Sequence, residues 1–205
     1  EYDRLILAQR LGPAQRPLFF GVIQGGGSRE LRRECAEALL AVGCDGFGFG
    51  GWPLDAPGNL LTEMVAYVRE LVPAELPLHA LGVGHPANVA ACAALGYGIF
   101  DSSMPTRDAR HGRLLAFTTA PDAMPWHDAW FRFVYIDDEH NKKSDGPIAP
   151  FCDCLACTRY SLGYLHHLFK IGDSLYIRLA TMHNLRFMAL LMDRLRARDH
   201  TCLGS

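Results

Sequence analysis

No run of 18 uninterrupted apolar residues occurs in the 205 residues of this chain, which argues against a membrane span. Its opening stretch, EYDRLILAQR, lacks the basic n-region and the apolar h-region of a secretory leader. An excess of positive charge is also missing. Twenty Lys and Arg against 22 Asp and Glu leave a net charge of −2. A nucleic-acid partner would therefore have to meet a local basic patch, because no global basic field exists to attract it. No internal repeat or low-complexity tract is present. With 49% apolar and 20% charged residues, the composition belongs to a globular domain with a sizeable core. An initiator methionine is missing as well: Glu1 stands first, and the expectation is a partial or processed chain of a longer protein.

The first 110 residues alternate between two patterns. Short β-rich apolar runs fall at Pro17–Ile23, Gly46–Phe49, Leu76–Val83 and Tyr97–Asp101. Helical patterns lie between them. Ser28–Val42 carries Leu31, Cys35, Ala38, Leu39 and Val42 at helical spacing, with Ser28 as N-cap. Asn59–Leu71 carries Leu60, Leu61, Met64, Val65, Val68 and Leu71, and Pro86–Leu95 opens on proline and ends at Gly96. Strand and helix in alternation predict βαβ units and a parallel sheet, as a barrel or as an open doubly wound sheet. Glycines 25–27 follow the first strand, Gly50 and Gly51 the second, Gly82 and Gly84 end the third, and Asp101 ends the fourth. Polar and glycine-rich features at every strand's C-terminal end favour the (β/α) barrel, whose active sites occupy that face. Beyond residue 112 the texture changes. Arg113–Phe117 and Phe131–Ile136 read as short strands, Asp137–Asp145 as an exposed loop, and Thr158–Lys170, Gly172–Ala180 and Asn184–Arg198 as helices.

Seven cysteines are an odd number, and three are clustered as Cys152-Asp-Cys154-Leu-Ala-Cys157. That pattern points to a metal and a reducing compartment, not to a disulfide framework. Cys35, Cys44, Cys92 and Cys202 are scattered and read as small buried hydrophobes. Three thiolates and an imidazole select zinc over calcium or magnesium, and four protein ligands make the site structural. His183, at the expected start of a long helix, is the favoured fourth ligand; His166 and His167 are the alternatives.

These segments together resemble the tRNA-guanine transglycosylases, over nearly all of residues 18–195. The likeness is carried by Cys-x-Cys-x2-Cys with His183 downstream and by four ordered motifs. The motifs are Phe20-Gly21-Val22-Ile23-Gln24-Gly25-Gly26, Cys44-Asp45-Gly46-Phe47-Gly48-Phe49-Gly50-Gly51, Leu81-Gly82-Val83-Gly84, and Phe100-Asp101-Ser102-Ser103-Met104-Pro105-Thr106-Arg107-Asp108-Ala109-Arg110-His111-Gly112. The resemblance implies the second half of a (β/α)8 TIM-type barrel over residues 1–112 and a zinc-binding helical subdomain over 113–205. It implies exchange of guanine in tRNA for a 7-deazaguanine such as preQ1 or queuine, by double displacement, in the cytoplasm. Asp101 would be the nucleophile that forms a covalent ribosyl ester. Gln24 would hydrogen-bond the purine, Gly50, Gly51 and Gly82 would line the base pocket with main chain, and Leu81 would pack on the ring. Arg107 and Arg110 would bind the RNA backbone. Lys142 and Lys143 read better as a solvated loop. A homodimer is a further expectation from the resemblance.

Several features depart from the family pattern. The half that would supply barrel strands 1 to 4 and further carboxylates has no counterpart here, so this chain alone is expected to be poorly soluble and inactive. Trp52-Pro53-Leu54 replaces a smaller stretch, and Asp55 lies one place before the expected Glu. Leu54 at that point suggests a small 7-substituent. Ser102-Ser103 replaces the commoner Cys-Val, and Arg113–Asp145 is longer and more aromatic than usual. The altered loop keeps open a DNA-acting relative; a non-catalytic zinc-stabilised partner subunit is the reading from another class.

Overall fold

The computed structural model describes residues 16–126 and 129–202, with side chains followed to Arg198. Readings that fall on Glu1, on the opening stretch and on the Cys202 thiol lie outside the described residues. Among those described, no helix is long and apolar enough to cross a membrane.

The chain divides into two compact units. The first holds the residues up to Val83 together with Cys92–Asp101; the second holds Gly84–Ala91 and the residues from Ser102 onward. In the first, strands β1 (Phe20–Ile23), β2 (Gly46–Phe49), β3 (Leu78–Ala80) and β4 (Ile99–Phe100) form one sheet in the order β1-β2-β3-β4. Every pairing is parallel. Helices α1 (Arg29–Val42) and α2 (Thr62–Glu70) make the first two crossovers that parallel strands require; α3 (Pro86–Ala94), between β3 and β4 in the chain, is divided between the two units. Strand limits are tighter than the apolar runs suggest, so Asp101 follows β4 directly.

Helix α1 begins where expected, with Ser28 Oγ accepting from the Leu31 N–H at 3.3 Å. Its buried face differs from the apolar stripe read from the sequence. Arg32 and Ala36 are buried, Cys35 is half-buried, and Leu31 and Val42 are exposed. The guanidinium decides this face, because its N–H groups find main-chain carbonyls beneath the helix. Helix α2 starts three residues later than Asn59. Leu54 and Leu60 form an isolated antiparallel bridge, and Leu61 N–H donates to Pro53 O, so this segment folds back as a loop.

The second unit contains α4 (Met104–Arg110), which the sequence reading did not identify, and an antiparallel hairpin of β5 (Arg113–Phe117) and β6 (Phe131–Tyr135). The aromatic excess of this region is used in packing: Phe117 stacks on Phe187 at 4.1 Å between centroids. Asp137–Asp145 is not simply an exposed loop. A 3-10 turn over Glu139–Lys143 buries Asn141, whose amide donates to Tyr135 O at 2.8 Å. The helix read over Thr158–Lys170 is two, α5 (Leu155–Arg159) and α6 (Leu162–Lys170). Tyr160 between them is extended, and Ser161 Oγ caps α6 through Tyr164 N–H. Conversely, the two helices expected after Gly172 are one, α7 (Ser174–Cys202), since neither glycine nor proline interrupts it.

Asn184, fully buried on α7, fixes the helix against its neighbours. Its Oδ1 accepts from Leu115 N–H at 3.0 Å, and its Nδ2 donates to Pro105 O at 2.9 Å and Arg113 O at 3.1 Å. Removing this amide strands a buried N–H and two carbonyls. We predict that Asn184→Ala lowers stability by about 2–4 kcal/mol. A shifted urea midpoint at unchanged slope checks this; a shift under about 0.5 kcal/mol contradicts it.

Candidate active site and metal centre

Because β1 to β4 are parallel, their C-terminal ends share one edge of the sheet. Gln24, Gly50, Leu81 and Asp101 each follow one strand there. Gln24 is exposed, and its side chain lies against Gly50. A Cβ on Gly50 would come within 2.6 Å of Ile23 O and 2.7 Å of the Gln24 amide, so glycine alone fits. Gly51 has φ +86°, a left-handed conformation, with open space where a side chain would stand. Its main chain is therefore accessible to a flat ligand.

Arg32 ties these strand ends together from below. Nε donates to Gly26 O at 2.8 Å, Nη1 to Ile23 O at 3.1 Å and Nη2 to Gly50 O at 3.1 Å. The guanidinium lies over Phe49, 4.2 Å from the ring centroid. Burial lowers its pKa from the ordinary value, while Tyr97 and Cys35 oppose this. The sequence reading passed over Arg32; a basic residue four places after a cap and beside a glycine-rich turn was the available signal.

The Asp101 side chain is 61% exposed. Its Oδ1 accepts from Gly82 N–H at 3.0 Å and lies 2.8 Å from His79 Nε2. Among the described residues no hydrogen bond reaches Oδ2. His79 was also missed in the sequence, although it stands between the buried Leu78 and Ala80 on the opposite face of β3. Leu81 is half-buried, and the exposed Trp52 indole would touch a Cβ on Gly82 at 3.5 Å. Asp55 is committed to its own turn, accepting from Asn59 N–H at 2.7 Å and from the Asn59 amide at 3.1 Å. These bonds lower its pKa from the ordinary carboxylate value.

Arg107 and Arg110 are exposed on α4 in the second unit. Arg107 lies 3.8 Å from the buried Asp108, whose closer partner is Arg113, 2.6 Å away. Lys142 and Lys143 are exposed on the 3-10 turn.

In the same unit, the donor atoms of Cys152, Cys154, Cys157 and His183 lie within 4.8 Å of one another. His183 Nδ1 is 3.5 Å from Cys154 Sγ and 3.3 Å from Cys157 Sγ. A tetrahedral ion bound at about 2.3 Å to sulfur and about 2.0 Å to nitrogen keeps its donors about 3.5–3.8 Å apart, so the set fits. His166 is buried and His167 exposed, and neither joins the cluster. His183 stands inside α7, not at a helix start. Its Nε2–H donates to Leu115 O at 2.7 Å, which leaves Nδ1 as the ligating atom. Hydrogen bonds from Cys152 and Cys157 hold the Cys154 thiol far below its ordinary range, while contact with Cys152 pushes the Cys157 thiol far up. Three adjacent sulfurs cannot all be thiolates without a cation among them. Burial opposes charge on His183, but the Cys152 and Cys154 sulfurs outweigh it and raise its pKa to about 9. Asp153, between two of the cysteines, pairs with Arg186 of α7 through contacts of 2.6 and 2.8 Å. Of the scattered cysteines, Cys44 and Cys92 are buried as expected, whereas Cys35 is half-buried beside Gln24 N–H.

Comparison with known proteins places this arrangement in context. Residues 2–198 match a family model described as queuine tRNA-ribosyltransferase. A protein of that name from Mannheimia succiniciproducens is 37% identical over 177 residues, covering 86% of this chain and 43% of the relative. One from a Psychrobacter species is 36% identical over 177 residues, covering 86% and 44%. One from Aromatoleum aromaticum is 36% identical over 197 residues, covering 96% and 48%. The chain thus spans about half the length of the curated relatives it matches. On this match, together with the four donors brought to one point, the chain belongs to the queuine tRNA-ribosyltransferase family.

Proposed function

We propose that this chain carries the nucleophile-bearing half of a tRNA-guanine transglycosylase, which exchanges guanine in tRNA for a 7-deazaguanine of the preQ1 or queuine type. The observation that carries the reading is Asp101: an exposed carboxylate at the C-terminal end of a parallel strand, with one oxygen held and the other without a hydrogen bond among the described residues. Oδ2 attacks the sugar C1′ as the C1′–N9 bond breaks and its electron pair leaves with guanine. The guanine anion takes a proton from solvent; the incoming base gives up its ring N–H proton to solvent as it attacks C1′ and the C1′–Oδ2 bond breaks, so protons balance over the exchange and two inversions retain configuration. Gln24 presents both a donor and an acceptor to the purine edge, and Gly50, Gly51 and Gly82 admit the flat ring. Leu81 supplies apolar contact. Arg107 and Arg110 offer guanidinium forks to phosphates.

The four-stranded sheet is read as half of a (β/α)8 barrel within residues 1–112, with 113–205 as the zinc subdomain. Among the described residues each outer strand pairs on one side only, and Val22 and Ile99 on these strands are 38% and 37% exposed. Barrel closure would cover both edges. Cys152, Cys154, Cys157 and His183 would hold Zn2+, which in this closed four-ligand site supplies cross-linking and no chemistry at the sugar. A cytoplasmic setting and a homodimer belong to the same reading.

In the protein expressed from its native reading frame, Asp101→Asn should reduce incorporation of labelled guanine into tRNA by at least about a thousandfold and abolish the covalent adduct. Its thermal midpoint should stay within about 2 °C of the parent. Undiminished incorporation would point to a partner subunit, and incorporation into DNA instead of tRNA to a DNA-acting relative. Cys157→Ser should cut bound zinc to less than half by elemental analysis and lower Tm by about 5–10 °C; full zinc occupancy with unchanged Tm contradicts the ligand set. The 205-residue chain by itself is expected to elute as aggregate and to show no exchange; an active monomer of this chain alone would refute the half-barrel reading.

A further inference from the structure

We propose that His79 is a positioning residue that selects which oxygen of Asp101 attacks the sugar and prepares that oxygen to leave again, an inference that rests on Asp101 being the nucleophile. A carboxylate only accepts hydrogen bonds, so the 2.8 Å contact requires His79 Nε2 to carry the proton. Gly82 N–H donates to the same atom, Oδ1, at 3.0 Å. Two donors therefore hold one oxygen, and the lone pairs of Oδ2 remain for bond formation. The placement follows from the backbone. Alternation along β3 sends Leu78 and Ala80 into the core and His79 to the other face. Parallel pairing sets His79 opposite Ile99 of β4, two residues before Asp101. Gly48 of β2, the other register partner of His79, has no side chain to crowd it.

The second half of the reaction is where this arrangement matters most. In the covalent intermediate Oδ2 is the ester oxygen and Oδ1 the carbonyl oxygen. When the incoming base forms its bond to C1′ and gives up its ring N–H proton to solvent, the C1′–Oδ2 bond breaks and its electron pair returns to the carboxylate. That charge spreads onto Oδ1, where the His79 and Gly82 donors already point. Donors fixed on Oδ1 therefore make Asp101 a better leaving group, at some expense to its attack, while orienting Oδ2 for both steps.

The test compares His79→Gln with His79→Asn in the protein expressed from its native reading frame, using unfractionated tRNA and labelled guanine. Glutamine places an N–H near the position of imidazole Nε2; asparagine, one methylene shorter, does not. For His79→Asn the expected result is a fall in kcat of about tenfold or more, with KM for tRNA within about twofold. The share of enzyme trapped as a denaturant-stable RNA adduct should rise, because release is slowed more than attack. His79→Gln should recover kcat to within about threefold. Parent-like kcat and adduct level in His79→Asn overturn the proposal. So does a joint loss of adduct and turnover that glutamine does not restore, which marks a merely structural histidine. Failure of the underlying reading looks different: guanine exchange by Asp101→Asn, or no exchange and no adduct in the parent enzyme, removes the nucleophile itself.

Discussion

The second unit depends on how α7 grips the backbone of a single residue, Leu115. Leu115 lies in β5, whose other edge pairs with β6. On its free edge, Leu115 N–H donates to Asn184 Oδ1 and Leu115 C=O accepts from His183 Nε2. Two adjacent helix residues thus do for this strand what a neighbouring strand would otherwise do. Both backbone groups are in a core where an unpaired one would cost about 1–3 kcal/mol. His183 then continues the connection, because Nδ1 faces the cysteine sulfurs. A rigid series runs from strand backbone through imidazole to the cysteine knuckle. The ring cannot turn to offer its other nitrogen without breaking the bond to Leu115. The Asp153–Arg186 pair, three residues further along α7, holds the knuckle from its exposed side.

The first unit meets a similar need by different means. Its strands end in loops rich in glycine, which have few side chains to hold them. Arg32 substitutes for those side chains by donating to carbonyls of Ile23, Gly26 and Gly50. A guanidinium suits the task because its donors are fixed in one plane and point in different directions. Lysine would bring one charge and no such fork. The partners among the described residues are carbonyl dipoles and the Phe49 face. The glycine backbone consequently keeps a definite shape while remaining open to a ligand.

What the sequence made legible was local or periodic. The Cys-x-Cys-x2-Cys spacing lies within six residues, and the strand–helix alternation repeats, so both survive reading along the chain. The motif around Asp101 is also contiguous. Three kinds of information were hidden. The first is polar residues used as core: Arg32 occupies the buried face of α1, while Leu31 and Val42, which fit the apolar stripe, are exposed. The second is continuity of helices. Tyr160-Ser161 breaks a pattern that looked uniform because Ser161 offers a cap, whereas Thr181-Met182-His183 looked like a junction yet propagates the helix. The third is contact across strands. His79 and Asp101 are 22 residues apart, and only the parallel register brings their side chains together.

These three gaps share a physical origin. Hydrophobic periodicity reports which face of an element leaves water, but polar groups are chosen for the partners they meet, and those partners are distant in sequence. Arg32, Asn184 and His183 are all nearly or fully buried, and each takes at least one backbone partner well outside its own helical turn. A buried polar side chain is tolerated only where its partners already stand in place. Such residues therefore mark where separate elements must register, and the elements they join here end at the donor cluster or at the rim of the parallel sheet. Apolar packing brings the strands and helices together to within a side chain's tolerance. The polar contacts narrow that tolerance to the tenths of an ångström that a set of donor atoms gathered around one point demands.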